Sequence, residues 1–124
     1  MVLQRDTTVA IWGQALPESI VYLSPSWGNI IKVKSDSNGF WKAFSETTND
    51  QKNHSLQIKS GKDKIFINDI LLGEVWLASG QSNMEMDFDY CCNSTDSAYQ
   101  VLSNDIFNNI RMFNVKKRYS LHPS

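Results

Sequence analysis

Cysteine, histidine, proline and excess charge of either sign are all scarce in this chain, and each scarcity removes a class of function. There are two cysteines, Cys91 and Cys92, and they are adjacent. Neighbouring cysteines rarely meet the Cα separation and torsion of a disulfide, so no disulfide framework is implied. A metal site would need further ligands at suitable spacing, and His54 and His122 lie in unrelated segments; no metal is expected, and the pair is read as packing. Three prolines and six glycines in 124 residues exclude proline-rich and collagen-like material. No apolar run approaches the 18 residues of a membrane-spanning helix, and no charged segment followed by an apolar core opens the chain. Twelve basic residues against 13 acidic ones give a formal net charge of −1, which supplies no field for nucleic acid. Lys116, Lys117 and Arg118 form too short a cluster to change that, and read as a solvated strand end.

What is present fits a soluble globular chain with one core, at 41% hydrophobic and 20% charged residues. Up to about Ile70 the pattern is β. Ile31 and Val33 alternate with Lys32 and Lys34, and Leu56 and Ile58 with Gln57 and Lys59, so each strand has one buried and one wet face. Turn chemistry recurs at Pro17-Glu18, Pro25-Ser26, Asn38-Gly39 and Gly61-Lys62, and Asn38-Gly39 before Phe40-Trp41 predicts a hairpin. The polar stretch from Thr47 to Asn53 reads as a loop. Short strands about ten residues apart predict a β-sandwich over residues 1–72.

From Gly73 the grammar changes. Val75 to Ala78 form a continuous apolar run, as in a parallel strand covered on both faces. Ala98, Val101 and Leu102 are spaced for one face of a helix over Ser94–Ser103, and Ile110–Val115 reads as a second strand, completing a βαβ unit. Residues 73–124 are therefore predicted as the start of an α/β domain, and the whole as a mixed α+β chain. Such a unit alone leaves open sheet edges and an uncovered apolar face. This reads as a chain cut short, and it points to self-association through the exposed edge.

Between the apolar run and the helix lies Gly80-Gln81-Ser82-Asn83, where a strand enters a tight turn that presents Ser82. A hydroxyl there sits outside the carboxyl edge of a sheet, where open α/β folds place their chemistry. The backbone N–H groups of Ser82 and Asn83 would offer donors to a developing oxyanion. The segment is equally compatible with a βα turn that uses Gly and Ser for shape alone. Met84 replaces the second glycine of a Gly-x-Ser-x-Gly elbow, which argues against an ordinary α/β-hydrolase.

The run Gly73-Glu-Val-Trp-Leu-Ala-Ser-Gly-Gln-Ser-Asn-Met-Glu-Met86 resembles the first signature block of the sialate O-acetylesterase family, within the SGNH-hydrolase superfamily. Met1-Val2-Leu3-Gln4-Arg5 and Ala10-Ile11-Trp12-Gly13 are similar to the opening strands of that family's N-terminal β domain. Asn109–Val115 resembles the strand after its nucleophile helix, so the resemblance spans nearly the whole chain. It departs at Ala78, where relatives often carry cysteine. The resemblance implies an SGNH-type (flavodoxin-like) α/β hydrolase domain over 73–124, Ser82 as nucleophile, an acetylated carbohydrate as substrate and no cofactor. It also implies a secreted, periplasmic or lysosomal setting whose targeting segment is absent from this sequence.

A serine hydroxyl needs a base, and histidine is the usual one. His122 is preceded by Tyr119, Ser120 and Leu121, not by the aspartate of the family pattern, and His54 reads as a surface residue of a polar loop. Neither is assigned, and the base is expected beyond residue 124. Glu74, Glu85, Asp87 and Asp89 surround Ser82 in sequence; Glu85 and Asp87 suit the positive end of a helix dipole better than a metal or acid/base site. Trp12, Trp27, Phe40 and Trp41 offer an aromatic platform for sugar rings, with Trp27 the candidate contact because it lies in a loop. A carbohydrate-binding β module without chemistry and an inactive fragment of a longer esterase therefore stand as alternatives.

Overall fold

The computed structural model describes residues 1–80 and 109–115. The chain divides into two compact units, Met1–Ala78 and Ser79–Ser124, and every strand among the described residues lies in the first. In order these are β1 (Val2–Gln4), β2 (Thr8–Gln14), β3 (Ile20–Pro25), β4 (Ile31–Lys34), β5 (Phe40–Glu46), β6 (His54–Ser60) and β7 (Asp63–Gly73). The described part is all β, with no helix.

Two sheets share one core. The larger runs β1-β7-β6-β3-β4 and the smaller pairs β2 with β5. The period-2 alternation of the sequence decides which side chains meet between them. From β3 come Val21 and Leu23, from β5 Trp41 and Ala43, from β6 Leu56, from β7 Ile70 and Leu72, and Trp27 joins them from a loop. The expected alternations in β4 and β6 are present, as are the Thr47–Asn53 loop and the turns at Pro17-Glu18 and Gly61-Lys62. Gly61-Lys62 is a two-residue hairpin loop between Ser60 and Asp63, with positive φ at Gly61 and not at Lys62, the pattern of a type II′ turn.

Leu23 has no solvent exposure and sits at the centre of this core. Leu23→Ala is expected to cost about 2–5 kcal/mol, a large share of a small domain's stability. Urea denaturation should show a lower midpoint at unchanged slope; an unshifted midpoint would mean that the core is organised elsewhere.

Three expectations are corrected. Asn38-Gly39 forms a tight turn, with the Gly39 N–H donating to Asp36 O at 3.0 Å, yet the strands it joins are not a hairpin. β4 pairs with β3 and β5 with β2, so the turn carries the chain from one sheet to the other. Next, Val75–Ala78 is not a strand, for β7 ends at Gly73 and Trp76 and Leu77 are 85% and 91% exposed. Lastly, Ile110–Val115 has no regular structure, with Met112 and Phe113 exposed. Among the described residues no strand is laddered to either apolar run, and an apolar strand is held by such neighbours. The predicted helix, Ser94–Ser103, lies outside the described residues, as do Cys91 and Cys92.

Candidate active site and its approach

The segment that leaves β7 is held by the first residues of this sequence. β1 lies parallel to the end of β7, with Val2 opposite Leu71, Leu3 opposite Leu72 and Gln4 opposite Gly73. The Arg5 N–H then donates to Gly73 O at 3.0 Å. Beyond the ladder, side chains continue the hold. Gln4 Nε2 donates to Glu74 Oε2 at 2.9 Å, while Gln4 Oε1 accepts the Val75 N–H at 2.8 Å. Arg5 Nε donates to the other Glu74 oxygen at 2.8 Å, and Arg5 Nη1 donates to Asn49 Oδ1 at 2.8 Å. One amide thus bridges a carboxylate and a backbone donor, fixing the direction in which the chain leaves the sheet.

Glu74 is accordingly a structural carboxylate whose oxygens are both engaged. The hydrogen bonds from Gln4 and then Arg5, with the Arg5 charge adding to them, hold its pKa below the ordinary glutamate value. A depressed folded-state pKa contributes stability above the unfolded-state value that is lost as pH falls through the folded one. An NMR titration should find the Glu74 midpoint below that of free glutamate, with Gln4→Ala moving it upward. A midpoint that stays put in Gln4→Ala would break this assignment.

Of the turn residues, Gly80 is described, exposed and outside any strand. Gln81, Ser82 and Asn83 lie outside the described residues, as do Glu85, Asp87, Asp89 and His122. Among the described residues no three histidine, cysteine, aspartate or glutamate side chains converge, and no helix is long and apolar enough to cross a membrane.

Trp27 and His54 are not where a polar loop would put them. Trp27 is buried, donates from Nε1 to Ser45 Oγ at 3.2 Å, and meets the His54 ring edge-to-face, at 5.8 Å between centroids and 81° between planes. This removes Trp27 as a surface for sugar stacking. Trp41 is buried too, whereas Trp12 and Phe40 are exposed on the outer face of the small sheet, so the four aromatics do not form one platform. His54 opens β6 as a buried residue, with Nδ1 3.0 Å from Ser26 Oγ; that hydroxyl also accepts the Ser55 N–H at 3.0 Å. His54 Nε2 is buried without a hydrogen-bond partner. A Ser–His contact is the pairing hydrolases use, but among the described residues no carboxylate bonds either ring nitrogen, and His54 is buried. The signal was legible: His54, Leu56 and Ile58 share one parity along β6, so the inward alternation begins at the histidine.

No protein-family model matches the chain. It is 27% identical over 134 aligned residues to sialate O-acetylesterase of Mus musculus, covering 93% of this chain and 23% of that protein. In structure it is similar to a carbohydrate acetylesterase from Xanthomonas citri, with a TM-score of 0.64 and 34% identity over 68% of this chain and 19% of that one. The chain therefore spans less than a quarter of either relative.

Proposed function

We propose that this sialate O-acetylesterase-like chain supplies the serine-bearing part of a carbohydrate O-acetylesterase. The observation that carries the reading is the extent of the match to the mouse enzyme, 93% of the chain, which takes in the Gly73–Met86 block as well as the β domain. The relatives' names give the substrate class, an acetyl ester on a sugar. We read the two sheets as a sandwich and the Gly-Gln-Ser-Asn-Met segment as the nucleophile block of an SGNH-type hydrolase.

In this reading Ser82 attacks the acetyl carbonyl, and the N–H groups of Ser82 and Asn83 hold the oxyanion. Gly80 and Gln81 shape the turn. A histidine oriented by an aspartate takes the serine proton and returns it to the leaving sugar hydroxyl, after which water attacks the acetyl-enzyme. His54 is a poor candidate for that base, being enclosed against Trp27 and tied to Ser26. The β domain's part is to anchor the segment: β1 and the Gln4–Glu74–Val75 bonds fix where it departs.

The test is covalent. In a protein long enough to match its relatives, a fluorophosphonate probe should modify Ser82, and an O-acetylated sugar should block the modification. A label found on another serine would remove the assignment.

A further inference from the structure

We propose that the outer face of the five-stranded sheet is a binding surface for an acidic saccharide. Tyr22 on β3 lies directly opposite Lys32 on β4 and Lys59 on β6, and Lys59 lies directly opposite Lys64 on β7. Lys32, Tyr22, Lys59 and Lys64 thus form a straight row across four strands, about 14 Å long at the usual strand spacing. The next row places Ser24 opposite Gln57 and Gln57 opposite Phe66. Antiparallel partners share a face, and Val21, Leu23 and Leu56 point into the core, so both rows face out.

Stability does not account for this arrangement. Like charges directly opposite on neighbouring strands are destabilising, and Lys59 and Lys64 are such a pair. Lys34, at the margin of the same face, is paired with Glu18, whereas among the described residues no carboxylate pairs with Lys32, Lys59 or Lys64. Two rings stand among these cations, Tyr22 at 41% and Phe66 at 61% exposure, and Lys32 Nζ lies 5.9 Å from the Tyr22 ring centre. Rings for the apolar face of a pyranose, an amide and a hydroxyl for its hydroxyls, and unpaired ammonium groups for carboxylates or sulfates make one coherent set.

Nucleic acid suits the face less well. Its affinity grows with the number of phosphates neutralised; this face offers a row of three lysines, and a formal net charge of −1 adds no long-range attraction. The choice of a saccharide over other anions rests on the carbohydrate reading above. The binding measurement involves no acetyl release, so it fails or succeeds independently of Ser82.

The experiment is calorimetric titration of the full chain with short dextran sulfate, unsulfated dextran of equal length, and a single-stranded oligodeoxynucleotide of equal charge. Dextran sulfate should bind best, with affinity falling as salt rises. Lys59→Glu should weaken it by about tenfold or more, Tyr22→Ala should weaken it several-fold, and Lys42→Glu on the other sheet should leave it within about twofold. Lys59→Glu should also raise the thermal midpoint, because a repulsive cross-strand pair becomes an attractive one with Lys64; this shows that lost binding is not lost folding. Equal or tighter binding of the oligonucleotide, no binding of dextran sulfate, or equal losses in Lys59→Glu and Lys42→Glu would each overturn the proposal.

Discussion

On the proposed reading, Ser82→Ala is expected to lower kcat for sugar deacetylation by about 10⁶ in a protein that carries the base and the remaining oxyanion donors, the scale found when a serine hydrolase loses its nucleophile alone. KM moves little, because the hydroxyl gains its bond to carbon after the substrate is bound. The melting temperature should stay nearly unchanged, since a nucleophile must face its substrate and losing such a hydroxyl removes little packing. Ser79→Ala is the matched control. Ser79 is exposed three residues earlier and should retain most activity. A Ser82→Ala protein that still deacetylates, or an acyl adduct on another residue, would leave the nucleophile assignment without support.

Gly39→Ala destabilises the β domain by about 2–4 kcal/mol, of which about 1–3 is backbone strain and about 1 is a lost hydrogen bond. Gly39 has φ +85°, and a Cβ built on it would stand 2.4 Å from the Ala15 carbonyl oxygen. That neighbour is backbone, so no rotamer change relieves the overlap. The Ala15 N–H also donates to Gly39 O at 2.8 Å, and moving the strands apart breaks that bond. Gly61 separates the two effects, with φ +56° and nothing within 4 Å of the same virtual atom. Gly61→Ala should therefore cost about 1–2 kcal/mol for the dihedral alone. Equal denaturation midpoints for the two variants would mean that the Ala15 contact yields without cost.

Local chemistry was the legible part of this fold. The alternations of Ile31–Lys34 and Leu56–Lys59, and the turns at Asn38-Gly39 and Gly61-Lys62, each depend on a few adjacent residues, and each is present. Pairing partners depend on the whole chain. Asn38-Gly39 specifies a reversal but not the strand beside which the reversed chain settles, and β5 settles on β2. Trp27 does lie in a loop, between Pro25-Ser26 and Gly28-Asn29, but it is buried there against Ser45 and His54, 18 and 27 positions away. An apolar run such as Val75–Ala78 records an appetite for burial, and whether it becomes a strand is decided by what lies beside it. For the candidate site, the residue types at Gly80–Asn83 are what the proposed chemistry rests on. The anchoring by Gln4 and Arg5 was invisible, because nothing near Glu74 in sequence points back seventy residues.

The parallel pairing of β1 with β7 sets an order of events. Hairpins such as β6–β7 close over two residues, but Val2 must find Leu71, and contacts of such long sequence separation form late because the intervening loop must first be closed. Among the described strands β1 is made first and its partner β7 last, so β1 waits unpaired until the five strands between them have been made. The final closure of the sheet is then also the moment at which Gln4 and Arg5 take hold of Glu74 and Val75. Loss of the β1–β7 pairing would release the segment that follows Gly73 while the core around Leu23 stays folded.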